Sequence, residues 1–333
     1  MPSPSPSDTS LRAVMRRLAE ALPLGEVAGA EGASLEATTS ATEAPRLIAA
    51  SLLEEPVLRA HRVFDPPREA FAAFLDGTQA SRVVAFPGGV PVVHGTVAGV
   101  VRIRRNRRLT TWGHHVERAL YVPRALLTRA RWQAIEDAAA AAGLRVVDTT
   151  ASDPAPTSEH PFALRDAAVH LVQKDRESIE QRLAEAWCAK EHDPLLIDGG
   201  ISGSERVAIS ACTVGVVKSH RTLYAEGDAL RTVLALGHTE RSSVFRITST
   251  RRATVASWYL RLRDARGRDP MWGLVRVEVA APTAGEATRI GERADEVSRW
   301  VLAEVSPLSL PDPRWDKLVY GVRDCEEFLR AVV

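Results

Sequence analysis

Apolar residues along this chain recur with two different periods, and the change of period divides it. From Leu11 to Leu22 they fall at helical spacing with basic residues between them, which predicts a short amphipathic helix. The preceding Met1 to Ser10 alternates Pro and Ser and reads as disordered. Gly25 to Glu43 is rich in Gly, Ala, Ser and Thr and reads as a linker. Pro45 to His61 resumes the helical period through Leu47, Ile48, Leu52, Leu53 and Leu58, predicting a second helix that stops before Pro66-Pro67. From Phe71 the pattern shortens to strands. One ends at Leu75-Asp76, a second covers Arg82 to Phe86, and a third covers Pro91 to Arg104, with Gly88-Gly89 as the turn between the last two. Val116 to Val122, Leu144 to Asp148, Pro194 to Ile197, Thr213 to Lys218, Ser242 to Thr248, Ser257 to Leu262 and Leu274 to Ala280 are further strand candidates. Helices are predicted over Leu126 to Ala142 with Gly143 as a stop, Arg165 to Lys190, Glu286 to Val305, and Asp324 to Val332. Strands interleaved with helices define an α/β chain opening on a meander. The expected organisation is a flexible segment over 1–44, carrying the short helix, and one domain over 45–333.

Bulk composition narrows the function classes only slightly. With 333 residues the chain can bury a full core, and with 43 basic against 42 acidic side chains its formal charge is +1. No global field draws it to nucleic acid or to a membrane, so a polyanion must be met by a local patch. Cys188, Cys212 and Cys325 lack the paired spacing of a zinc site and read as reduced thiols. No run approaches the length of a membrane span and no signal-peptide layout opens the chain, so a cytoplasmic protein without membrane contact is expected.

Two echoing stretches carry the candidate chemistry. Phe74-Leu75-Asp76-Gly77-Thr78-Gln79 and Leu195-Leu196-Ile197-Asp198-Gly199-Gly200 each close an apolar run with Asp-Gly. Asp-Gly is also plain turn chemistry. An apolar strand, however, gains nothing in packing from a carboxylate, and two such ends side by side repel unless a cation lies between them. On the helix before the second stretch, Glu180 borders the apolar face of Val172, Ile179, Leu183 and Trp187, with Glu177 and Glu185 next in order. Three carboxylates from different elements suit Mg²⁺ or Mn²⁺, and two such ions support in-line phosphodiester hydrolysis. Lys218 and Arg221 follow a strand directly, and Arg102-Ile103-Arg104-Arg105-Asn106-Arg107-Arg108 is either a solvated hairpin tip or a reader of backbone phosphates. His114 and His115 are adjacent and would point to opposite faces of a strand.

The two Asp-Gly blocks, the helix from Arg176 to Glu180, and Thr213-Val214-Gly215-Val216-Val217-Lys218 together resemble the NurA nuclease family from about Phe71 onward. That resemblance implies a ribonuclease-H-like mixed sheet flanked by helices, with extra helices at both termini. It also implies a homodimer and Mn²⁺-dependent degradation of DNA ends with HerA, a hexameric translocating ATPase, in double-strand break repair or anti-phage defence. Asp76 and Asp198 match the family's metal-binding aspartates, and Glu180 is the choice for the helix acid with Glu177 as its alternative. The family tends to carry Tyr-Pro and a His or acidic residue near its C-terminus. Here Tyr320 precedes Gly321, and Asp316, Asp324 and Glu326 are all left as candidates. Lys218, Arg221, Arg104, Arg105, Arg107 and Arg108 are the candidate DNA contacts. The amphipathic N-terminal segment is expected at a partner interface. The alternative reading is a non-catalytic nucleic-acid-binding adaptor on such an ATPase.

Overall fold

The computed structural model describes residues 6–22, 27, 33–35, 44–106, 108–151, 158–250, 252–283, 285–305 and 320–333. Helix α1 spans Pro6–Ala21, beginning earlier than the Pro-Ser alternation suggests. Short strands β1 (Ala33–Leu35), β2 (Arg46–Leu47), β3 (Ser51–Leu52) and β4 (Ala60–Arg62) follow. Next come the long strands β5 (Ala73–Ala85), β6 (Val92–Arg105) and β7 (Arg108–Val122). Then α2 (Arg129–Ala141), β8 (Arg145–Asp148), α3 (Pro161–Lys190), β9 (Leu195–Asp198), α4 (Glu205–Ala208) and β10 (Thr213–Val217) are laid down in turn. The remainder is β11 (Thr222–Leu223), α5 (Gly227–Leu234), β12 (Glu240–Ser242), β13 (Phe245–Ser249), β14 (Arg252–Arg261), β15 (Leu274–Ala280), α6 (Ile290–Val305) and α7 (Tyr320–Val332).

One sheet organises these elements, in the order β3-β13-β14-β15-β10-β9-β5-β6-β7-β8. Strands β5, β6 and β7 form an antiparallel meander, while β9 runs parallel to β5 and β10 parallel to β9. This is the expected α/β arrangement, a large mixed sheet flanked by helices with additional helices at both ends. Side chains alternate across the sheet. Ala73, Leu75, Leu195 and Ile197 meet Ala184 and Trp187 of α3 on one face. On the other, Phe74, Ala98, Val100, Leu196 and Val214 pack against α6 and α7. Among the described residues no helix is long and apolar enough to cross a membrane.

Two expectations are corrected here. Pro45 to His61 is not a helix but a run of short strands, since β3 pairs with β13 and β4 with β12. Glu54 fixes the segment by accepting from Arg241 and from Val244 N–H, so tertiary pairing overrides the helical period. The two strands expected between Phe71 and Phe86 are one, because β6 pairs with β5 along its whole length from Ala73↔Ile103 to Ala85↔Val92. Asp76-Gly77 therefore lies inside a strand and not at its end. The apolar face of α1, through Leu11, Val14, Met15 and Leu18, is buried with Val84, Leu120, Ile135 and Ala138 of this same chain. The apolar side of the N-terminal helix is thus taken up within the chain by the sheet and α2.

Candidate functional site

The register of β5 and β9 does the placing. Leu75 pairs with Ile197, so Asp76 and Asp198 are the next residues on two neighbouring parallel strands, whose backbones in any sheet run about 4.8 Å apart. Strand β9 ends at Asp198, and Gly199 turns the chain away at φ 136°, a conformation that a side chain would resist. Strand β5 continues alone. Its next pairing on that edge, among the described residues, is with β1 at Ser81–Val83. Residues 77–80 thus border a gap in the sheet.

Acidic side chains reach that gap from both faces. Glu180 comes from α3, whose buried Ile179 seats the helix on the sheet, and its carboxyl lies where a Cβ on Gly77 would be. Glu326 comes from α7, which is brought close by Gly321 against the Phe74 ring and by Cys325 Sγ donating to Phe74 O at 3.4 Å. On the α7 side, Asp76, Thr78, Asp198, Lys218, Glu326 and Arg330 line a groove of about 580 Å³. On the α3 side, Arg176, Glu180, Asp198, Gly200, Ser204 and Arg252 line another of about 400 Å³. The two grooves meet at Arg176, Asp198 and Gly199.

Asp76 is only 8% exposed and accepts from Gly77 N–H at 2.8 Å. Burial pushes its carboxyl well above the usual range; the neighbouring Asp198 and Glu180 charges add to this and Lys218 opposes it. Burial likewise raises Glu180 to about 7, against the pull of Arg176 and with a further push from Asp198 and Glu177. Lys218 Nζ donates to Asp198 Oδ2 at 2.7 Å, and Arg176 pairs with Glu180 while donating to Gln79 at 3.1 Å. The turn after Asp198 is held from behind, where Glu278 accepts from Ile201 N–H at 2.9 Å and from Arg276 at 2.8 Å.

Among the described residues no three His, Cys, Asp or Glu side chains are gathered as a ready metal cage. The donor set nonetheless fits a hard divalent cation, because it is made of carboxylate oxygens, and burial together with mutual repulsion pushes the Asp76 and Glu180 carboxyls up, a cost that a cation would relieve.

Of the predicted site residues, the structure brings Asp76, Asp198, Glu180, Lys218 and Glu326 together. Glu177 lies at the rim of the α3-side groove, 48% exposed and accepting from Gln173 at 2.9 Å. Asp324 is not a spare ligand, since Arg102 Nε holds it at 2.5 Å. Arg104 is corrected from DNA contact to structural tie: it pairs with Glu304 at 2.6 Å and Glu69 at 2.7 Å and lies over the Phe74 ring. Arg105 and Arg108 are exposed at the hairpin turn. They lie five strand positions beyond Val100, the residue opposite Asp76, and so roughly 17 Å from it. Arg221 lies between β10 and β11, its carbonyl accepting from Arg46 N–H at 2.8 Å, and it lines neither groove. Tyr320 opens α7. Arg107 and Asp316 lie outside the described residues. His114 packs on Phe328 and His115 bonds Glu117, on opposite faces as expected. Arg176 and Glu278 were missed as site residues; the i, i+4 spacing of Arg176 and Glu180 was the available signal.

The fold and the cleft define an α/β protein with a carboxylate cluster at a break in its central sheet. No family model and no curated protein sequence matches the chain. Among solved structures it is similar to the crystal structure of the NurA nuclease from Sulfolobus solfataricus. That similarity is at 10% identity and a TM-score of 0.44, over 82% of this chain and 86% of that one. A likeness at that level says nothing of the reaction.

Proposed function

We propose that this protein is a divalent-cation-dependent nuclease that hydrolyses DNA phosphodiester bonds in the cleft between α3 and α7. The observation that carries the reading is that Asp76 and Asp198 each follow directly on the Leu75–Ile197 pair of adjacent parallel strands, with Glu180 entering over Gly77. Asp76, Asp198, Glu180 and Glu326 would hold Mn²⁺ or Mg²⁺, one ion or a pair. When bound, such a cation polarises the phosphate and activates water at neutral pH. The chain's own cations then have the polyanion to meet. Arg176, Lys218, Arg252 and Arg330 border the two grooves, whereas Arg105 and Arg108 at the hairpin turn could only contact a more distant part of the strand. Degradation of DNA ends as a homodimer, driven by a HerA-type hexameric ATPase in break repair or phage defence, is the setting that the family resemblance suggests. Copurification with such an ATPase would test it.

The central experiment is cleavage of end-labelled linear DNA in Mn²⁺. Asp76→Asn and Asp198→Asn should each abolish it while the melting temperature holds, and wild-type cutting by either refutes the assignment. The second reading, a non-catalytic adaptor, is favoured by one observation: Asp198 and Glu180 are already paired with Lys218 and Arg176. An adaptor would show no Mn²⁺ binding that depends on Asp76 and Asp198, and calorimetry separates the two.

A further inference from the structure

Three of the acidic side chains that frame the gap, Glu180, Glu326 and Asp198, have a basic partner. Glu180 takes Arg176 one helical turn earlier, and Glu326 lies 3.6 Å from Arg330 one turn later. Such i, i+4 pairs are ordinary on any helix. The contact of Lys218 with Asp198 is of another kind, because it joins two elements at the ends of β9 and β10, where Val216 pairs with Asp198. Both side chains are largely withdrawn from solvent, at 15% and 20% exposure, so the ammonium serves as the local counter-charge of that carboxylate. A divalent ion held between Asp76 and Asp198 would bring a second cation to the same carboxylate. Two like charges do not share one such position at close range. A displaced Nζ has a long stem and a groove of about 580 Å³ that it already lines with Asp76, Ser219 and Arg330. A phosphate oxygen is the partner suited to a compact ammonium there.

We propose that Lys218 is an exchange cation, holding Asp198 until a divalent ion takes the carboxylate and then turning to a phosphate of the bound strand. Ion and nucleic acid consequently bind cooperatively, each raising the affinity of the other by the same factor. The inference rests on the metal-dependent nuclease reading and adds a coupling to it. It concerns equilibrium binding, so it is measured without turnover.

The test uses the full chain, with Mn²⁺ affinity read by calorimetry and affinity for a fluorescent phosphorothioate oligonucleotide read by anisotropy. In wild type, Mn²⁺ should tighten oligonucleotide binding about tenfold, the scale of one charged hydrogen bond. Lys218→Met should bind Mn²⁺ about tenfold more tightly than wild type and lose the Mn²⁺-linked gain in oligonucleotide affinity. Lys218→Arg, whose fork can grip Asp198 with two hydrogen bonds, should bind Mn²⁺ more weakly than wild type, a readout that survives if the Met variant fails to fold. Equal or weaker Mn²⁺ binding by Lys218→Met, equal or tighter binding by Lys218→Arg, or oligonucleotide affinity indifferent to Mn²⁺ in wild type overturns the exchange. If wild type binds Mn²⁺ and cleaves DNA, only the exchange has failed. If it binds no Mn²⁺, the nuclease reading falls with it.

Discussion

Gly77→Ala isolates what Glu180 does. Gly77 lies inside β5 and is not among the glycines with positive φ, so alanine is free of backbone strain there and gains roughly 0.5–1 kcal/mol in strand preference. The added methyl, however, would overlap Glu180 Oε1 and stand 2.8 Å from its Cδ and 2.9 Å from its Cγ. Stem atoms are involved as well as the tip, so Glu180 cannot respond by turning its last bond. It must leave its rotamer and give up Arg176. Overpacking of this sort costs about 1–3 kcal/mol, leaving a net loss of roughly 1 kcal/mol and a fall in Tm of a few degrees at most. A reacting group displaced by about 1 Å costs on the order of a hundredfold in rate. Cleavage should therefore fall far out of proportion to stability. Gly203→Ala is the control, since Gly203 lines the α3-side groove and a Cβ there meets nothing within 4 Å. Cleavage of end-labelled linear DNA in Mn²⁺, run beside a thermal melt, reads both quantities. If Gly77→Ala cuts at the wild-type rate, Glu180 has no part in the chemistry.

Two further outcomes concern the fold that carries the cleft. Glu304 is 3% exposed and accepts two hydrogen bonds from the Arg104 guanidinium, at 2.9 and 2.6 Å, so Glu304→Ala leaves that guanidinium with Glu69 as its one carboxylate partner and should cost about 2 kcal/mol in urea unfolding. A loss below about 1 kcal/mol would show that the pair does not tie α6 to the hairpin. His94 is buried, with Arg82 and Arg118 beside it, and burial first and then those charges lower it to about 4. Its folded form binds fewer protons than its unfolded form, so the stability it contributes is complete above pH 6.5 and is lost as pH falls toward 4. Between pH 7.5 and 4.5 wild type should lose roughly 2–3 kcal/mol more than His94→Gln. Glu180, raised to about 7, tilts stability the opposite way over that window, and taking the difference between the two proteins removes its contribution. Parallel pH profiles of the two proteins would contradict the neutral, buried imidazole.

What the sequence disclosed follows the physics of each position. Asp198 was legible because its strand truly ends there, and Asp76 because a carboxylate in an apolar run needs a reason to be buried. Glu180 could be picked out by its place at the border of the apolar face of α3, since helical spacing fixes which residues look toward the sheet. The segment from Pro45 to His61 was misread because its leucines satisfy a helical period that edge pairing with β12 and β13 then overrides. The arginine run was misread as one unit. Strand alternation divides it: Arg102 and Arg104 are drawn inward to Asp324 and Glu304, while Arg105 and Arg108 remain at the turn. The described cations of this one run are two separate pieces of chemistry in space.

The least legible feature is the one that makes the cleft. Asp76 lines the α7-side groove not because its own strand stops but because its neighbour does. Strand β5 runs thirteen residues, and β9 pairs with it only over Ala73–Leu75. The open edge then lasts until β1 joins at Ser81, among the described residues, so chemistry drawn from β5 is confined to the few positions from Asp76 to Ala80. Within that window Gly77 admits Glu180, and Gln79 accepts from the same Arg176 that pairs with Glu180. The length of a neighbouring strand and the register of a parallel pair are long-range quantities, and no local period or composition encodes them. A carboxylate cluster of this kind is specified by where a sheet is left incomplete, and extending β9 by two residues would close it as surely as removing an aspartate.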